Sequence, residues 1–185
     1  MRLFLLMITL VLSGCSTTYT NKNVQGMVVP TMTGETLTQK TVTLPSVFDS
    51  PLSLLLVGYK QDSQFDIDRW LIALDMTETN ITAYEIPAIQ GMFPRMFSTL
   101  INNGMRAGIP KELWGGVITL YADGDQLQQF TGNEQPNNAR VLLINNQGEI
   151  LYFYDRGFAV NALNEVRDLI ETNTEQSQYN QRDQN

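Results

Sequence analysis

The sequence predicts an α/β domain: a central mixed sheet with flanking helices, closed near its C-terminal end by a β-hairpin and a helix. Three stretches carry this reading. Pro51–Leu74, PLSLLLVGYKQDSQFDIDRWLIAL, holds an apolar run of strand length at Leu52–Tyr59 and a polar turn at Lys60–Gln64. It then places Phe65, Ile67, Trp70, Leu71 and Leu74 at helical spacing. A continuous apolar run of this length marks a strand covered on both faces. The second stretch is Val141–Asn145, Asn146-Gln147-Gly148 and Glu149–Tyr154, two β-rich runs joined by a Gly-bearing turn. The third is Val160–Glu171, where Val160, Leu163, Val166, Leu169 and Ile170 share one helical face.

The remaining elements follow in chain order. Ser16–Gly34 is rich in Thr, Asn, Gly and Ser without sustained periodicity, and reads as a flexible tether, with Val28-Val29 as a brief surface strand. Thr36–Val47 nearly alternates β-branched residues and reads as an edge strand or hairpin arm. Ile81–Ile86 is a second strand stopped by Pro87. Phe93–Gly104 carries Phe93, Met96, Phe97, Leu100 and Ile101 at helical spacing, with Pro94 in the first turn and Gly104 at the end. Its methionines read as core filling. Met105–Trp114 reads as a loop and Val117–Ala122 as a third strand. Asp123 and Asp125 then cap a short helix, Gln126–Phe130, ended by Gly132. Thr172–Asn185 is polar, Gln/Asn-rich and reads as disordered. The domain organisation expected is 1–14 signal peptide, 15–34 lipidated N-terminus and tether, 35–171 folded domain and 172–185 polar tail.

Composition excludes several kinds of chemistry. The chain has 185 residues, 43% of them apolar, and a formal charge of −7. That balance, with no Lys/Arg run, argues against a nucleic-acid partner. There is no histidine, so His-based triads, metal sites and pH switches are out. One cysteine permits neither an intramolecular disulfide nor a Cys-x-x-Cys pair. No cofactor and no metal are expected.

The N-terminus has the layout of an export signal. Arg2 supplies a positive n-region, and Leu3–Leu12 is an apolar run of h-region length. Leu12-Ser13-Gly14-Cys15 follows, and resembles the bacterial lipobox at all four positions. The resemblance implies cleavage before Cys15 and acylation of that residue, hence a palmitate-bearing lipoprotein held at the membrane by several acyl chains. Ser16 in place of Asp points to the outer membrane, with the domain facing the periplasm. Acylation would also leave the mature chain without a free thiol.

The order strand, helix, strand, helix, strand, hairpin, helix looks like the thioredoxin-like fold. Within it, the chain is most similar to mitochondrial ATP-synthase assembly factors of the Atp-ten type. The segments that carry this are Leu54–Trp70, Tyr84-Glu85-Ile86-Pro87 with Gly108-Ile109-Pro110-Lys111-Glu112, and ARVLLINNQGEILYFYDRG at Ala139–Gly157. The hairpin also resembles that of peroxiredoxins, in which an arginine opening the strand helps activate the peroxidatic thiolate. Arg140 stands at that position, but Ser63-Gln64-Phe65-Asp66 replaces the family's Thr-x-x-Cys. Nor does a proline precede Val141, where thioredoxins carry a cis one. Without a thiolate nucleophile, neither peroxide reduction nor disulfide exchange has a mechanism.

The resemblance implies a non-catalytic protein that binds another envelope protein during assembly. The alternatives are an enzyme without thiol chemistry and a small-molecule or lipid carrier. Lys60, Asp66, Arg69, Glu85 and Arg140 are the candidate binding residues at the pseudo-active-site end, with Arg140 expected to pair with Asp66 or Glu85. The bland readings are a solvated turn for Lys60 and Tyr59, helix-dipole compensation for Asp66 and Asp68, a surface arginine for Arg140 and a core residue for Trp70. Trp114 could anchor a partner.

Overall fold

The structure, a computed structural model, describes residues 17–91 and 96–182. Cys15, Phe93 and Pro94 lie outside the described residues. Two sheets build the domain. The larger has the order β4-β3-β6-β7, from β3 (Leu52–Gly58), β4 (Thr82–Pro87), β6 (Arg140–Asn145) and β7 (Ile150–Tyr154). β3 pairs parallel to β4 and antiparallel to β6, which makes the sheet mixed. The smaller sheet has the order β2-β1-β5, from β1 (Met32–Thr36), β2 (Thr41–Leu44) and β5 (Ile118–Thr119). Parallel bridges Glu85–Val117 and Ala88–Leu120 tie it to β4.

The apolar run predicted for β3 is buried on both faces, and the two-residue period of a strand divides it. Leu54 and Leu56 face α1 (Gln64–Met76) and α4 (Val160–Arg182), packing with Ile67, Trp70, Leu74, Val166 and Ile170. Leu55 and Val57 face the smaller sheet and α3 (Gly124–Thr131), packing with Met32, Leu44, Ile118, Leu120 and Leu127. On β6 the same alternation sends Val141 and Leu143 to the first core and Leu142 and Ile144 to the second. Each such side chain contributes about 1.5–3 kcal/mol on full burial. Trp70 is fully buried, donates its indole N–H to the Gly157 carbonyl at 2.9 Å, and meets Phe158 edge-on at 5.6 Å.

Several expectations need correction. Within 17–34 the chain is no tether. Val24 and Val29 are buried, and backbone bonds join Lys22 to Thr131, Asn133 to Tyr19, Gly26 to Ile150 and Val29 to Gly148. Two apolar anchors and a run of backbone pairs outweigh the polar composition. The β-branched run Thr36–Val47 does hold the expected edge strand and hairpin arm, β2, while the other arm, β1, lies mostly upstream of it. The predicted third strand shrinks to β5, and the loop expected at Met105–Trp114 is largely helical: α2 (Ser98–Gly108) runs into a 3₁₀ segment at Lys111–Gly116. α4 continues through Arg182, where a disordered tail was expected. Asp123 occupies the N-cap position of α3 without capping it; its carboxylate accepts the Thr33 N–H at 2.7 Å instead.

α2 departs furthest from expectation. Met96, Phe97 and Leu100 do not fill the core: they are 71%, 46% and 70% exposed. The side of the helix that packs inward is polar. Asn102 is buried, donating to Glu35 Oε1 at 2.8 Å and accepting the Tyr121 hydroxyl at 2.8 Å. Arg106 Nε donates to the Leu37 carbonyl at 2.7 Å. Helical spacing established that an apolar stripe exists, not which way it faces.

Candidate functional site

The C-terminal ends of β3 and β4 are where parallel strands present binding groups. Here the sheet separates the candidate residues into two groups. Arg140 lies opposite Val57 in register, and Glu85 opposite Leu56. Cross-strand partners share a face, and Val57 and Leu56 belong to opposite cores. Arg140 therefore lies on the face of the smaller sheet and α3. Glu85 lies on the face of α1, as does Asp66.

This geometry overturns two expectations for Arg140. Among the described residues it pairs with neither Asp66 nor Glu85, because the sheet stands between them; and it is fully buried rather than on the surface. Its guanidinium lies over the Tyr59 ring at 4.5 Å. Nη1 donates to the carbonyls of Gln135 at 2.7 Å and Asn138 at 2.6 Å, while Nε and Nη2 have no partner. Burial lowers the affinity of the group for its proton, and Tyr59 and Asp155 oppose that shift. The charge persists, since a guanidinium does not lose its proton in a protein. Tyr59 is buried too, its hydroxyl hydrogen-bonded to Thr131. Burial pushes that phenol up to about 12. The sequence did hold a signal for this placement: Arg140, Leu142 and Ile144 keep one parity along a strand.

The other face carries the acids. Asp66, in the first turn of α1, accepts the Ala139 N–H at 3.2 Å. Arg69 approaches it at 3.9 Å, with the arginine largely in solvent. Gly157 packs directly on this carboxylate; a Cβ there would overlap it, and the φ of +80° also calls for glycine. Glu85 is half-buried beside the first turn of α1, within reach of Gln64. Burial raises its carboxyl above the ordinary glutamate range, a Gln64 hydrogen bond works against the shift, and Asp68 adds to it. Lys60 is exposed in the turn after β3, and Phe65 is 71% exposed beside it. The structure thus brings Asp66 and Arg69 together, places Glu85 on the same face beside Gln64 and Asp68, leaves Lys60 exposed in the turn before α1, and sets Arg140 on the other face.

Chemically this end offers little. Asp66 occupies the place where the peroxiredoxin pattern puts its cysteine, and it is engaged with backbone. Among the described residues no three acidic or cysteine side chains are placed to hold a metal ion. Asp125, read with Asp123 as a helix cap, accepts from Tyr19 and Gln90. Two clefts lie at the opposite end of the sheet, one of them about 580 Å³ and lined by Ser50, Asn80, Thr82, Asn146 and Ile170. Trp114 is half-buried, donates to the Ile109 carbonyl at 2.9 Å and lies under Arg106 at 5.7 Å.

No protein-family model matches the chain, and no curated protein matches it in sequence. Solved structures do match in shape. A thiol peroxidase from Chromobacterium violaceum superposes with a TM-score of 0.57 at 12% identity, over 86% of this chain and 93% of that one. The thioredoxin domain of a thiol-disulfide oxidoreductase from Bacteroides vulgatus gives 0.54 at 16% identity, over 80% and 99%. BsSco, of the Sco family of cytochrome c oxidase assembly proteins, gives 0.54 at 10% identity, over 83% and 96%. The domain has the thioredoxin-like fold, the fold expected from its element order. At these identities the likeness defines the fold and nothing narrower.

Proposed function

We propose that this chain is a membrane-anchored, redox-inactive thioredoxin-like lipoprotein of the bacterial envelope. It binds another envelope protein and serves in its assembly. The observation that carries the reading is Asp66 in the first turn of α1, in a chain whose one cysteine is Cys15. Reduction of a peroxide or exchange of a disulfide begins with a thiolate, and this end of the domain has none to offer. Cys15, as the acylated residue of Leu12-Ser13-Gly14-Cys15, is committed to the anchor.

The fold accommodates such a role. BsSco, whose family is named for cytochrome c oxidase assembly, has the same architecture, and the similarity to Atp-ten-type assembly factors points the same way. The exposed side chains at the pseudo-active-site end, Lys60, Phe65 and Arg69, give a partner mixed apolar and charged contacts. Arg140 acts from beneath this surface: stacked on Tyr59, it holds the Gln135–Asn138 loop through its carbonyls.

Crosslinking in native membranes followed by affinity purification of the full chain tests the reading. A reproducible partner protein is expected; recovery of none sinks it. Labelled palmitate tests the anchor separately, since incorporation must disappear in Cys15→Ala.

A further inference from the structure

α1 carries apolar side chains on two opposite sides. Ile67, Trp70 and Leu74 are buried against the sheet. Phe65, Ile72 and Met76 are 71%, 58% and 79% exposed. At the helical repeat the two sets point in opposite directions, so Phe65, Ile72 and Met76 form an outer stripe about 16 Å long. A surface helix needs one apolar side to pack; a helix apolar on both is of the kind that is covered on both. Charges border the stripe. Asp68 and Asp75, two turns apart, are exposed along one margin. Arg69 lies at the other, drawn toward Asp66 at 3.9 Å.

We propose that this stripe receives an amphipathic helix of the partner protein, one with basic residues beside its apolar side. The proposal rests on the partner-binding reading given above and names the kind of segment that binds. Backbone chemistry selects a helix. The outer side of a helix has no unpaired N–H or C=O to offer an extended strand, whereas a second helix satisfies its own backbone and packs by its side-chain ridges. Charge selects a foreign, basic one. The margin of Asp68 and Asp75 is repelled by the anionic headgroups of a lipid surface. A second copy is opposed twice: the chain carries −7, and antiparallel pairing of two such stripes sets the acidic margins against each other. Lys or Arg on a foreign helix instead meets both aspartates, which fixes its register. The stripe begins at Phe65, in the first turn of α1, and so extends the surface of Lys60 and Arg69 along the helix.

The test is photo-crosslinking of the full chain in intact cells, from benzoyl-phenylalanine at Ile72, at Met76 and, as a reference, at Lys60. Each adduct is digested and the attached peptide sequenced by mass spectrometry. The expected result is one segment of a second protein at both Ile72 and Met76, with apolar residues at helical spacing and Lys or Arg along one flank. Reversing the margin with Asp68→Lys and Asp75→Lys should cut the yield at Ile72 about tenfold. An undiminished yield in that variant overturns the proposal; if the variant misfolds, the sequenced segment decides alone. A segment with an acidic flank or without helical spacing also overturns it, as does an adduct to lipid or to a second copy of this chain. Adducts from Lys60 but not from Ile72 or Met76 overturn the proposal and leave the partner-binding reading standing. Adducts from none of the three positions refute that reading, and the proposal with it.

Discussion

Gly132→Ala probes the feature that sets how the domain hangs from its N-terminal segment. Gly132 has φ +84° and ψ 162°, a region open essentially to glycine alone. A Cβ there would overlap the Cα and N of Asn21 and the carbonyl of Thr20, all backbone atoms that a rotamer change cannot move. Forcing alanine into this backbone costs about 1–3 kcal/mol. Relieving the overlap means lifting Tyr19–Lys22 off α3. That forfeits the Asn133 N–H to Tyr19 carbonyl bond at 2.9 Å and the Lys22 N–H to Thr131 carbonyl bond at 3.0 Å. At about 1 kcal/mol net for each bond, the variant loses about 3–5 kcal/mol in all. Urea unfolding measures the total, and hydrogen exchange at the amides of Lys22 and Asn133 measures the local release. A loss under about 1 kcal/mol with unchanged protection of both amides would refute the packing of 17–24 on the domain.

Three further outcomes follow from the two faces of the sheet. Arg140→Met keeps the packing over Tyr59 and removes a buried charge with two unpartnered donors, so stability in urea should change by no more than about 1.5 kcal/mol; a loss beyond about 3 kcal/mol would mean the guanidinium is fully partnered. Trp70→Phe leaves the Gly157 carbonyl without its donor and opens space beside Phe158, at a cost of about 2–4 kcal/mol by chemical unfolding; an unchanged midpoint contradicts the assignment. The raised Glu85 carboxyl binds its proton more tightly in the folded state than in the unfolded one. Its contribution to stability is then complete below the unfolded pKa and is lost as pH rises through the folded one. Glu85→Gln should therefore raise Tm at neutral pH, with the gain vanishing in acid; equal gains at both pH values would be inconsistent with burial of the carboxyl.

What the sequence made legible was what periodicity and turn chemistry encode. β3, α1 and the β6–β7 hairpin were all readable, because long apolar runs and a Gly turn specify them locally. Two kinds of feature were not. The packing of 17–34 depends on Val24, Val29 and backbone bonds to residues over a hundred positions away, and no local pattern announces such partners. The direction of α2 depends on the pocket that Glu35, Leu37 and Tyr121 make for Asn102 and Arg106, which exists only once the smaller sheet is folded. The site falls between these cases. The elements that carry Asp66 and Glu85, α1 and β4, were legible. Arg140 was expected on the surface or paired with Asp66 or Glu85 and is instead buried on the other face, although its parity with Leu142 and Ile144 pointed there.

These placements narrow the docking reading. Asp66, Arg69 and Glu85 share the α1 side of one end, with Lys60 exposed in the turn before α1, while Arg140 supports that end from within the core.

The most direct test of the central claim is photo-crosslinking in intact cells, from a benzoyl-phenylalanine placed at Lys60, at Arg69 and, as a control, at Gln147. The account predicts one discrete protein adduct from both Lys60 and Arg69 and none from Gln147. It also predicts that the adducts survive reducing conditions, since no thiol takes part. Adducts from Gln147 alone, or none from any of the three positions, would contradict it.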